Sequence, residues 1–217
     1  MDIRSLQARH PLCDVETFRR YDALYHGGQT FRSMVAEFLP RQPQDTQANY
    51  QLRLKEAAYT PYVGQIVRAY AGTLFASHYA IRAKVDGKPV ELDAVYAGLK
   101  EDCDGQGTDL TNFFKDRFRC ALVNCASFWV VEMPRGTAED AGMTEDEWTA
   151  QGRDRARLRA LDTCNVLDWE AGDDGGFAWV KVHDRAMRRA DAASPVMVVD
   201  TWRVYWPDYV DVFRLEY

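Results

Sequence analysis

The sequence predicts an α+β fold, with helices packed on a small, mainly antiparallel sheet. Three observations carry this. Apolar residues recur at helical spacing through roughly the first 76 positions. Four strand-like runs follow one another after residue 165, joined by turn signals. No regular β–α alternation runs along the chain, as a doubly wound parallel sheet would require. The expected organisation is one region over residues 1–217, helical to about 76 and mixed or β from about 77.

Asp14 is placed to cap a helix to about His26, with Val15, Phe18, Tyr21, Leu24 and Tyr25 on one face, and Gly27-Gly28 stops it. A short helix follows over Thr30–Phe38, closed by Pro40. Pro43 keeps the next link extended, and Thr46 opens a helix through Tyr59. Thr60-Pro61 is a start signal, a hydroxyl followed by proline at the first helical position. The helix it opens sets Val63, Ile66, Val67, Tyr70, Leu74 and Phe75 at helical spacing. Gly64 and Gly72 lie inside it, where glycine costs stability, so close packing against another backbone is the expected compensation.

Tyr79–Val85 reads as a strand turned by Asp86-Gly87, and Leu92, Val95, Tyr96 and Leu99 mark a helical face. A loop at Asp102–Gly107 leads to a helix capped by Thr108 and running to about Asn124. Ser127–Met133 is aromatic and β-branched, hence a strand, ended by Pro134. Thr144 and Glu147 form the T-x-x-E capping box of a helix expected over Glu145–Ala160. Strands are then expected at Asn165–Trp169, Phe177–His183, Pro195–Tyr205 and Tyr209–Tyr217. Asp173-Asp174-Gly175-Gly176 forms the first hairpin turn and Pro207-Asp208 the last.

Composition excludes several classes. With 47% apolar and 12% aromatic residues the chain is not a disordered polar polymer. Its formal charge of −6 does not suit coating DNA by bulk charge. Residues 134–217 hold 17 acidic against 11 basic side chains and so carry the whole excess. The apolar runs are only a few residues long, far short of the roughly 20 that span a bilayer, so no membrane is expected. Met1-Asp2-Ile3-Arg4 has no basic leader before an apolar run. Five irregularly spaced cysteines, at 13, 103, 120, 125 and 164, predict free thiols and no disulfide framework.

The search for local chemistry is mostly negative. Asp102, Asp104 and Gly107 match the opening of an EF-hand loop, but position five is Gln106 and position twelve is Phe113, so the closing glutamate is missing and a helix-capping turn is favoured. The four histidines lack zinc spacing, and neither phosphate-binding glycine pattern nor G-x-S-x-G occurs. No cofactor or metal is expected. Cys120 and Cys125 sit among Phe118, Leu122, Phe128 and Trp129, which predicts burial. A Cys125/His183 nucleophile pair is the enzyme alternative, expected to show an exposed thiol in a polar pocket, whereas a portal wing is expected to bury Cys125. Arg153, Arg155, Arg157 and Arg159 would form two i,i+4 pairs on a helix, either as a contact for phosphate or an acidic partner or as a solvated face neutralised by Asp154, Glu145, Asp146 and Glu147. A nucleic-acid-binding module using these arginines is a second alternative. Arg185, Arg188 and Arg189 carry the same two readings. Trp169, Trp179, Trp202 and Trp206 fall on expected strands, as core or as contact residues.

Five segments in order carry a resemblance: His10-Pro11; Tyr50–Tyr59 followed by Val63-Gly64-Gln65-Ile66-Val67 and Ala71-Gly72-Thr73-Leu74-Phe75; Asp104–Leu110; Phe128–Pro134; and Val166-Leu167-Asp168-Trp169-Glu170. From about Arg9 onward the chain resembles the N-terminal, wing-region half of a tailed-bacteriophage portal protein. The resemblance implies a non-enzymatic virion subunit at one capsid vertex, assembled in the bacterial host cytoplasm. It implies a homo-oligomeric ring, commonly of twelve subunits, through which double-stranded DNA is packaged and ejected. It also implies a terminase motor, a head–tail adaptor and major capsid or scaffolding protein as partners. Such portals are longer than this chain, so stem, clip and crown are expected after Tyr217. Residues 1–217 alone are then expected to form monomers or weak, mixed oligomers.

Overall fold

The computed structural model describes residues 2–77, 83–85, 87–90, 94–133, 142–150, 155–173, 175–189, 191 and 194–217. Tyr79 and the rest of its strand start, Asp86, Leu92, Pro134, Arg153, Asp154 and Asp174 lie outside the described residues. The fold is α+β, and the strand pairs β1–β2 and β5–β6–β7–β8 are antiparallel.

The helices are α1 (Ile3–Gln7), α2 (Val15–His26), α3 (Gly28–Ser33), α4 (Val35–Phe38), α5 (Gln47–Glu56), α6 (Tyr62–Leu74), α7 (Ala94–Glu101), α8 (Leu110–Asn124) and α9 (Glu145–Ala150). The strands are β1 (Ala83–Val85), β2 (Lys88–Val90), β3 (Phe128–Glu132), β4 (Arg157–Leu161), β5 (Val166–Ala171), β6 (Phe177–Arg188), β7 (Met197–Tyr205) and β8 (Val210–Glu216). Among the described residues the single expected sheet is instead three: β1–β2, β3–β4 and β5–β6–β7–β8. By contacts the chain divides into two compact units, residues 1–19 with 161–217, and residues 20–160.

In the first unit, four successive hairpin-connected strands make the sheet. Along β7, Asp200, Trp202 and Val204 point to one face and Thr201, Arg203 and Tyr205 to the other. The N-terminal segment returns to this sheet. Asp2 caps α1 through Ser5 N–H at 2.7 Å, and Leu6 is buried with Leu167, Trp202 and half-buried Phe213. His10 N–H donates to Leu167 O at 2.8 Å and its ring stacks on Trp169 at 4.2 Å. The buried Lys181 ammonium donates to Ser5 O at 3.0 Å and pairs with Asp168 at 3.3 Å.

In the second unit, α5 is capped by Thr46 and α8 by Asp109, whose carboxylate accepts Asn112 N–H at 2.9 Å. Phe31 stacks on Phe38 and Tyr59, and Tyr59 OH donates to Leu24 O at 2.8 Å. Another core joins Cys103, Leu110, Phe113 and Leu158, with Tyr96, Leu99 and Phe114 packed against it. Burial pushes the Cys103 thiol up to about 11.

The capping box forms: Thr144 N–H donates to Glu147 Oε2 at 2.8 Å, and Glu147 N–H to Thr144 Oγ1 at 3.3 Å. The helix it opens is shorter than expected. Arg157 and Arg159 lie on β4, not on a continuation of α9. Arginines at every second position have the period of a strand, and buried Leu158 faces away from them.

Candidate subunit-contact surface

Helix α6 is apolar nearly all round, so its packing decides which side is left over. Gly64, Val67 and Ala71 are buried. At Gly64 an added Cβ would lie less than 3.0 Å from Tyr25 O, so the backbones of α2 and α6 meet there without room for a side chain. The Arg68 guanidinium lies over the Tyr25 ring at 5.7 Å. Phe75, just past the helix, meets Phe118 of α8 at 5.9 Å.

Tyr62, Val63, Ile66, Tyr70 and Leu74 point outward, with exposures of 66%, 42%, 59%, 68% and 58%. At 100° per residue these five fall in one stripe about 120° wide. Sequence spacing had grouped four of them with Val67 as a face expected to pack, whereas the chain's own packing uses only the strip beside it. With about 150–250 Å² for each aromatic side chain and less for the aliphatics, the stripe offers on the order of 500 Å². A standard interface takes about 800 Å² per partner. A second outward apolar row in the same unit runs along β3 through Trp129 and Val131 to Met133.

Arg155, Arg157 and Arg159 do not lie on the helix expected of them, and Arg153 lies outside the described residues. Arg155 packs its guanidinium against Gly98 of α7, and Arg157 packs against Gly105 in the loop before α8. Arg159 pairs with Glu132 of β3 at 3.5 Å. These side chains lie against α7, the loop and β3 within their own unit. Arg185 extends from β6 to the carboxylate of Asp200. Arg188 ends the same strand and is exposed, as is Arg189.

The 102–107 loop turns its carboxylates inward. Asp102 Oδ1 accepts from Gly105 and Gly107 N–H at 2.8 and 2.9 Å, and Asp104 Oδ1 accepts from Gln106 and Thr108 N–H at 2.8 and 3.2 Å. Among the described residues, no group of three or more His, Cys, Asp or Glu side chains converges as a metal site.

The cysteine expectation is half wrong, and the burial of Cys125 expected of a portal wing is not seen. Cys120 is half-buried, but Cys125 is exposed, and neither is in a disulfide. Cys125 ends α8 in the left-handed conformation, φ 57°, so its side chain leaves the helix at the turn instead of entering the core. His183 Nε2 lies 2.8 Å from Asp200 Oδ1 and its ring stacks on Trp202 at 4.7 Å. Ellman's reagent should therefore titrate Cys125 in the folded protein and Cys103 only after unfolding. Cys125→Gly should remove the reactive thiol and raise stability by about 1 kcal/mol, read from the denaturant midpoint, because glycine adopts this backbone without strain.

No protein-family model matches the chain, and a search of curated proteins finds no match. No helix among the described residues is long and apolar enough to cross a membrane.

Proposed function

We propose that the chain is a structural, non-catalytic part of a bacteriophage portal subunit: one copy in a ring at the capsid vertex, around a channel that passes double-stranded DNA during packaging and ejection. In this reading its neighbours are other copies of itself, the terminase motor, the head–tail adaptor and the capsid or scaffolding protein. The observation that carries it is the outward stripe of α6, an apolar surface that a ring subunit would cover with the next copy. Ring contacts are head-to-tail and need two different surfaces. The β3 row offers a second apolar surface on the same unit. The five ordered segments that resemble portal wings add support. An acidic chain also suits a channel through which phosphates must slide without being gripped.

Light scattering after size exclusion tests the proposal on the intact gene product. The expected result is a closed ring of about twelve copies. Ile66→Asp with Tyr70→Asp should reduce it to monomers with an unchanged circular dichroism spectrum, since both side chains already face water. Residues 1–217 alone should give at most weak oligomers, because the α6 stripe falls short of about 800 Å² per partner. An intact product that stays monomeric at tens of micromolar, or rings that tolerate both aspartates, would sink the proposal.

A further inference from the structure

We infer that one end of the four-stranded sheet docks a basic protein segment, seating an arginine side chain in the wedge formed by Trp179, Trp206 and Tyr209 between the carboxylates of Glu170 and Asp211. The inference does not depend on the portal reading.

The strand register builds the site. Glu170 of β5 stands opposite Trp179 of β6. Val180 pairs with Tyr205, so Trp179 comes beside Trp206 at the end of β7, and Trp206 N–H closes onto Tyr209 O at 2.9 Å. One row therefore crosses all four strands. Trp206 stacks on Tyr209 at 5.7 Å and 20°, while Trp179 tilts toward Trp206 at 6.3 Å and 49°. The rings thus form a wedge, not a flat platform. Tyr209 is 56% exposed.

The indole N–H groups are already used. Trp179 donates to Glu170 Oε2 at 2.8 Å, and Trp206 donates to Asp211 Oδ2 at 3.1 Å. Each carboxylate is thereby fixed at the rim, with a second oxygen to accept from a ligand. Lys181, in the adjoining row, is held by Asp168 and Ser5, so its charge does not neutralise this end. Aromatic faces flanked by fixed negative charge select a planar cation, because guanidinium stacks on rings and offers a fork of donors to carboxylates. The same charges repel phosphate, which disfavours nucleic acid.

Fluorescence anisotropy with a labelled arginine–glycine–serine repeat peptide tests this, with the glutamate version of the peptide as comparison. The intact chain should bind the arginine peptide and not the glutamate one. Glu170→Gln with Asp211→Asn should weaken binding about tenfold, since the amide oxygens still accept the indole N–H groups and keep the rings in place. Tyr209→Ala should weaken it about fivefold. Glu16→Gln with Glu56→Gln, which removes the same charge elsewhere, should leave it unchanged. No binding, equal loss in the distant pair, or full binding in both patch variants would overturn the proposal. Displacement of the peptide by a neutral oligosaccharide would reassign the wedge to a sugar and overturn it as well.

Discussion

Asp200→Ala is expected to destabilise the four-stranded sheet by about 2–4 kcal/mol, from the loss of several charge-assisted hydrogen bonds on a buried carboxylate. Asp200 is 3% exposed. Its two oxygens accept from Arg185 at 2.8 and 2.9 Å and from Tyr217 OH at 2.9 Å, and its Oδ1 lies 2.8 Å from His183 Nε2. Arg185 and Tyr217 are exposed enough for water to solvate them once the acid is gone, which keeps the loss below that of a fully buried pair. The Arg185 hydrogen bonds, ahead of those from Tyr217 and His183, hold the carboxyl well below the usual carboxylate range, against the opposing effect of burial. A folded-state pKa below the unfolded value means that this stabilisation is fully present above about pH 4 and fades as pH falls through the folded value. Denaturant titrations from pH 7 downward should show wild type losing stability on acidification, and Asp200→Ala starting lower with a flatter dependence below pH 4. Parallel curves would show that another carboxylate sets the acid limb.

The two glycines of α6 should respond with opposite signs. An alanine at position 64 drives its methyl into Tyr25 O, a backbone atom that cannot rotate away. The overpacking should cost about 1–3 kcal/mol, exceeding the gain in helix propensity. At Gly72 nothing lies within 4 Å of an added Cβ. Alanine there should raise stability by about 0.5–1 kcal/mol. Urea midpoints with unchanged slopes check both. Stabilisation by both substitutions would mean that α2 and α6 do not meet as closely as described.

The glycine pair also shows what could be read from sequence. Glycine inside a helix pointed to a close backbone contact, and Gly64 makes one. Gly72 does not, since nothing lies within 4 Å of an added Cβ there, and no local spacing encodes which glycine meets a neighbour. Some caps were legible for the same local reason: Asp14 accepts Thr17 N–H, Thr46 accepts Asn49 N–H, and Thr144 and Glu147 close their box. Two were not, since Asp109 and not Thr108 caps α8, and α6 starts from Pro61 with no hydroxyl cap from Thr60. The four last strands fell within a few residues of their expected places. What failed was non-local. Among the described residues the strands divide into three sheets because pairing partners are chosen by tertiary contact. The alternation of Arg157 and Arg159 has strand period, yet the capping box fixes only where α9 begins and nothing local fixes where it stops. The apolar neighbours of Cys125 point to the core, but the left-handed residue at a helix end turns its side chain away from them. For the aromatic row, the tryptophans were visible in sequence, whereas its carboxylate rim depends on cross-strand register.

The return of α1 to the last strands sets an order of events during synthesis. Residues 20–160 form a unit continuous in sequence, complete once they have left the ribosome. Ser5 must wait for Lys181, which is 176 positions later. At about 5–20 residues per second this is a delay of roughly ten seconds or more, through which the amphipathic N-terminal segment is held without its sheet. Leu6 therefore reports on the last step of maturation, and a nascent chain arrested before β7 should carry a folded middle and an undocked beginning.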